Sequence, residues 1–159
     1  MTEETQTPAV QADIPAAAPE VEVEDMEIPL NERERLPVRF LRPHGHNNQV
    51  LPVIFYIHGG GWVMGDKQTH DRLIRELCAG TGAAVVFPEY TPAPDAVYPA
   101  QINQLFAVLR YIAEEAEAFR FDTARLVVAG DSVGGNMATV MALLAKENNF
   151  PKIRFQLLF

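Results

Sequence analysis

The sequence predicts an α/β fold built on a mostly parallel sheet, with helices on both faces and an antiparallel amino-terminal edge. Three observations carry that prediction. Short continuous apolar runs of strand length alternate with stretches of helical apolar periodicity. A glycine cluster at 59–61 closes the first of those runs, and Gly130, Gly134 and Gly135 come after a later one. Ahead of the first run, residues 21–28 alternate apolar and polar side chains as a half-buried strand does.

Residues 1–20 mix Thr, Gln, Ala, Pro and Glu with almost no large apolar side chains. Such a stretch cannot bury enough surface to offset its ordering entropy, so a disordered tail is expected ahead of a domain spanning 21–159. The strand at 21–28 is expected to pair antiparallel with 36–41. Residues 53–57, continuously apolar and ending at the first glycines, read as a central parallel strand. Leu73, Ile74, Leu77 and Cys78 then share one helical face, with Gly80 and Gly82 able to stop the helix. A second buried strand follows at 83–87 and a Pro-rich loop at 88–99. Ile102, Leu105, Phe106, Leu109, Ile112 and Ala113 recur at three and four residues, the clearest amphipathic helix in the chain. Residues 126–129 give a third buried strand. The stretch 137–145 is apolar nearly all round, as in a helix packed on both sides, and 155–159 begins another strand.

Composition narrows the function. The chain has 159 residues and a formal net charge of −8, from 13 Lys and Arg against 21 Asp and Glu. That balance excludes a phosphate-tracking surface, so no nucleic-acid partner is expected and small-molecule chemistry is favoured. Hydrophobic residues make up 48% of the chain, enough for a real core. The first residues carry neither a basic nor an apolar signal region, and no apolar run is long enough to span a bilayer, so neither secretion nor a membrane partner is expected. The single Cys78 rules out an internal disulfide, fits a reducing compartment such as the cytoplasm, and reads as a small core side chain.

Two motifs carry chemistry. Gly130-Asp131-Ser132-Val133-Gly134 matches G-x-S-x-G and lies between a buried strand and a helix, where a nucleophilic serine must sit to project from the carboxyl edge of a sheet. The helix that starts there aims backbone N–H groups at the reacting centre, which favours a developing oxyanion. A plainer reading makes Ser132 only the cap of that helix. A phosphate loop is a further competitor, but no Lys follows the glycines. The second motif, His58-Gly59-Gly60-Gly61-Trp62, follows the first central strand, and loops of this type supply an oxyanion-hole N–H in lipases and esterases. Gly59, Gly60 and Val133 are the candidate amide donors. His58 lies ahead of the serine and is read as fixing the loop by a hydrogen bond. Trp62 could line a substrate pocket or pack the loop. His44, His46 and His70 read as solvated surface residues.

With these residues the chain resembles the hormone-sensitive-lipase family of carboxylesterases, a branch of the α/β-hydrolases. The likeness runs from about residue 21 to 159, through the two motifs, Gly65 and Asp66, the Tyr90, Ala93-Pro94 and Tyr98-Pro99 loop, and Gly135-Asn136. It implies hydrolysis of short-chain carboxylic esters without a cofactor or metal. Ser132 would be the nucleophile, Gly59, Gly60 and Val133 the oxyanion hole, and Asp131 would brace the elbow beside Gly61, Gly130 and Gly134. Homodimerisation of a full-length protein is a further implication. The chain departs from the family pattern at Glu89, at Thr91-Pro92 and at Gln104, so the polar network of that loop is expected to differ. The amino-terminal cap helices common in the family are not expected, because 1–20 lack an amphipathic pattern.

The family places an acid and then a histidine after the serine. Here no histidine follows Ser132, and the only acid after it, Glu147, falls in the following helix. The chain is therefore expected to be the nucleophile half of such an enzyme, truncated after the strand that follows the elbow helix and essentially inactive alone. A noncatalytic module holding a small apolar acid or ester, and an amidase or lactonase using the same site, remain alternatives.

Overall fold

A computed structural model of the chain describes residues 17–159, so the tail expected at 1–20 lies outside the described residues except for its last four positions. The elements are β1 (Val21–Pro29), β2 (Arg35–Pro43), β3 (Leu51–Ile57), α1 (Asp71–Thr81), β4 (Ala84–Pro88), α2 (Ala100–Glu114), β5 (Phe121–Gly130), α3 (Val133–Glu147) and β6 (Phe155–Leu158). The strands form one six-stranded sheet in the order β1-β2-β4-β3-β5-β6. β1 pairs antiparallel with β2 and β2 with β4, while β3 runs parallel to both β4 and β5, and β5 to β6. This is the mostly parallel α/β sheet with an antiparallel amino-terminal edge that the pattern of runs predicts.

The two-residue period of β3 shows why both faces must be covered. Val53, Phe55 and Ile57 join a core with Leu105, Val108, Leu109 and Ile112 of α2 and Met137, Ala138 and Met141 of α3. Ile54 and Tyr56 point the other way, into a smaller core with Ile74 and Cys78 of α1 and Val85 and Phe87 of β4. Each such side chain, fully buried, contributes roughly 1.5–3 kcal/mol. Cys78 is wholly buried, and burial pushes its thiol up to about 12, as befits a core side chain.

Three helix expectations need correction. Leu73 does not share the buried face of α1: it is 40% exposed, because the helix meets the sheet along the narrower Ile74–Cys78 stripe, with Leu77 at its margin. Gly80 stays inside α1, and Gly82, with φ of 69°, alone makes the left-handed stop. α3 is packed on one side only, since Leu143 is 55% exposed among the described residues. Among the same residues no helix is long and apolar enough to cross a membrane.

Candidate active site

Parallel strands β3 and β5 lie side by side with Ile57 level with Gly130, so the two glycine motifs leave the same edge of the sheet together. Between β5 and α3 the chain turns at Ser132, which has φ of 53° and ψ of −120° and makes no side-chain cap bond. A non-glycine residue in that region costs on the order of 1–3 kcal/mol and persists only where its surroundings impose it. Here they do. The Ser132 amide donates to Phe159 O (2.9 Å), and the Phe159 amide to Gly130 O (3.0 Å), which bracket the turn with the end of β6. The Gly134 amide donates to Asp131 O (2.8 Å). A Cβ at Gly134 would run into the carbonyl of Ile57 and lie 2.8 Å from that of His58; one at Gly130 would lie 2.6 Å from Ile57 O. Close approach of α3 to β3 is what the flanking glycines provide. Ser132 itself is exposed.

The side chain of Asp131 ties the elbow to the glycine loop. Its Oδ1 accepts from Tyr56 Oη (2.8 Å) and from the Gly59 amide (3.0 Å), and His70 Nε2 stands 3.3 Å away. Burial alone would raise its pKa, but the Tyr56 hydroxyl, the Gly59 amide and His70 outweigh burial and hold the carboxyl below its ordinary range. The wholly buried Tyr56 is pushed far upward, first by burial and then by its bond to that carboxylate, so it remains a donor.

This arrangement corrects one expected donor. The Gly59 amide is already spent on Asp131, because a buried N–H takes the strongest acceptor within reach and a carboxylate stands beside it. Gly60 and Gly61, with φ of 117° and 65°, and Val133, at the first turn of α3, donate from their amides to no protein acceptor among the described residues. The loop is held from below. The ring of His58, 2% exposed, stacks on Tyr90 at 4.2 Å, and its Nδ1 is 2.8 Å from Gly59 O. Burial lowers the His58 pKa, which favours a neutral ring donating from Nδ1. Gly65, with φ of 98°, passes so close to Gly59 O and the His58 ring that a side chain there has no room.

His70 is a second correction. Its side chain is only 15% exposed, packed between Tyr56, His58 and Phe87 with Nε2 toward Asp131, and is not a solvated surface group. The order β4-β3-β5 brings the start of α1 over the carboxyl end of β3, a placement that local sequence does not encode. His44 and His46 lie in the turn after β2.

Beside the elbow lies a cavity of about 560 Å³ lined mainly by Gly61, Trp62, Val97, Tyr98, Ile102 and Val140, with Asn136 reaching it from one helical turn beyond Ser132. Trp62 lines the cavity, and its carbonyl accepts the Ala93 amide (2.8 Å). The outer wall, 91–99, hangs on two buried amides. Gln104 accepts from the Thr91 amide (2.9 Å) and donates to Thr91 Oγ1 (3.0 Å) and Glu34 Oε1 (2.9 Å), while Gln101 donates to Thr91 O (3.2 Å) and Ala96 O (3.0 Å). The departures at Thr91 and Gln104 thus compensate each other, and the network is complete. Gln104→Glu would replace both donated bonds with a second carboxylate facing Glu34. The expected loss is about 2–4 kcal/mol at pH 7. Part of it should return near pH 5, where a raised carboxyl pKa lets the two acids share a proton; urea midpoints at the two pH values measure this.

A profile of the alpha/beta hydrolase fold matches residues 54–159. A carboxylesterase of Mycobacterium tuberculosis, NlhH, is 40% identical over 145 residues, which is 91% of this chain and 45% of that protein. An ethyl acetate hydrolase of Pseudomonas putida is 33% identical over 138 residues, 86% of this chain and 43% of that protein. Among solved structures, an esterase of Rhizomucor miehei superposes with a TM-score of 0.87 at 36% identity, over 91% of this chain and 45% of its own. A thermostable esterase of Pseudomonas putida superposes with a TM-score of 0.80 at 46% identity, over 86% and 42%. The chain spans less than half the length of each of these relatives. With the sheet order, the elbow and the profile in agreement, the chain belongs to the α/β-hydrolase fold family.

Proposed function

We propose that this chain carries the nucleophile and oxyanion-hole part of a serine hydrolase that cleaves short-chain carboxylic esters through an acyl-enzyme. The observation that carries the reading is the conformation of Ser132: exposed, at positive φ, and bracketed by bonds from both sides. The likeness to proteins named esterase and carboxylesterase supports it. Ser132 Oγ attacks the ester carbonyl carbon as its proton is removed. The carbonyl oxygen, now an oxyanion, is received by backbone amides, and collapse expels the alcohol with a proton and leaves the acyl group on Ser132 until water releases the acid. We assign the donors to Gly60, Gly61 and Val133, in place of a set that includes Gly59. Donors held ready in this way each lower the barrier by about 3–4 kcal/mol.

The attack needs a base, and neither described histidine beside the elbow stands free to serve. His58 is turned to Gly59 O and His70 to Asp131. We therefore expect this chain alone to turn over esters slowly, at most ~10³–10⁴-fold above water. The cytoplasm is the proposed setting, on the strength of the lone buried thiol Cys78.

A fluorophosphonate probe tests the reading. Slow, saturable labelling at Ser132 is expected, abolished by Ser132→Ala with an unchanged unfolding midpoint. Binding of p-nitrophenyl acetate or a longer p-nitrophenyl ester without any labelling would instead make the chain a noncatalytic ligand-binding module.

A further inference from the structure

One ionisable side chain at the site has no part in the chemistry proposed above. His70 precedes α1 with Nε2 3.3 Å from Asp131 Oδ1, while its Nδ1 lies 3.0 Å from Thr69 Oγ1 and 3.3 Å from Asp66 O. Because the Asp131 carboxylate oxygen can only accept, the contact needs the proton on Nε2. Thr69 Oγ1 also lies 2.9 Å from Asp66 O, so its single proton goes either to that carbonyl or to Nδ1.

Around this ring the other charged and titratable groups are engaged elsewhere or neutral. The Asp66 carboxylate takes the amides of Gln68 and Thr69. Asp71, next along α1, pairs with Arg39 and Arg75. Glu89, beyond β4, pairs with Lys67. From the end of β3, Tyr56 is a donor to Asp131 and His58 is bound to Gly59 O. Asp131 is therefore the one carboxylate that His70 faces directly.

We propose that His70 is a positioning residue for the oxyanion loop: it holds the Asp131 carboxylate where that group consumes the Gly59 amide, and so leaves the Gly60 and Gly61 amides for the substrate oxygen. The function assigned to those two amides rests on the esterase reading; the linkage from His70 to Gly59 does not. Three donors from three parts of the chain converge on one oxygen. Tyr56 belongs to the central strand and the Gly59 amide to the loop being placed, which leaves His70 as the donor that comes from another element. Without it the carboxylate can swing toward solvent, since its side chain is already 33% exposed, and the Gly59 amide then competes for the oxyanion position.

The test uses the whole 159-residue chain and reads the Gly59 amide by ¹⁵N NMR at a fixed pH. In the wild type, the Gly59 amide should be protected from exchange by its bond to Asp131. In His70→Ala the Gly59 and Gly60 shifts should move, and hydrogen-exchange protection at Gly59 should fall roughly tenfold while core amides of β3 and β5 keep theirs. His70→Gln, whose side-chain amide can supply the donor, should restore protection and the wild-type shifts. Unchanged Gly59 shifts and exchange in His70→Ala overturn the proposal. So does a uniform fall across all amides, which would mark His70 as packing only. Fluorophosphonate labelling of Ser132 in the same samples separates the two readings. Absence of labelling in the wild type sinks the esterase assignment and leaves the His70 linkage to stand or fall on Gly59.

Discussion

Gly134→Ala should cost about 3–5 kcal/mol or prevent folding altogether. The added carbon would meet the carbonyl of Ile57 and lie 2.8 Å from that of His58, and both are backbone atoms at the end of the central strand. A flexible side chain could rotate away from such an intrusion. A backbone held by parallel pairing to β4 and β5 cannot, so α3 must move off the sheet and the elbow must open. Gly61→Ala provides the contrast. A Cβ there meets nothing within 4 Å, and the only penalty is the left-handed φ of 65°, about 1–2 kcal/mol. Urea midpoints of the two variants should therefore differ by a clear margin although both replace a motif glycine; equal midpoints would sink the packing account.

Asp131→Ala is the second large expectation, at about 2–5 kcal/mol. It strands the Tyr56 hydroxyl and the Gly59 amide, both in buried residues, and each unsatisfied donor costs roughly 1–3 kcal/mol. Asp131→Asn keeps one acceptor oxygen and should lose less than half as much. The pH dependence has a definite sign. Because the folded carboxyl titrates below its unfolded value of about 3.9, its stabilisation is fully present above that value and is lost as pH falls through the lower, folded pKa. Wild type and Asp131→Ala should thus converge in stability as the pH drops below about 4 and separate above it. Thermal unfolding followed from pH 2 to 7 measures this; a constant gap across the range would mean that the carboxylate charge plays no part.

The sheet and the elbow are legible in the sequence because their signals are local. A run such as 53–57 can bury both faces only in the middle of a layered sheet, and Ser132 between glycines after an apolar run has few places to sit. What local pattern cannot show is which side chain reaches across. Gly59 looks like a free donor until Asp131, from the other motif, takes its amide. His70 looks like a polar residue at a helix start until the strand order lays α1 over the end of β3. Gln101 and Gln104 interrupt the apolar stripe of α2, and only the return of the 91–99 loop supplies their partners. Leu73 and Leu143 fail for the reverse reason: apolar periodicity marks faces that could be buried, and the neighbours decide which of them are.

The pairing of Ile57 with Gly130 also has a bearing on time. The loop after β3 and the turn after β5 are distant in the chain, and contacts between distant segments form late, after the closure entropy of the intervening chain has been overcome. During synthesis the glycine loop leaves the ribosome well before Asp131 is made, so its amides face only water at first. Protection of the Gly59 amide would then be among the last signals to appear on refolding, a natural clock for completion of the central sheet.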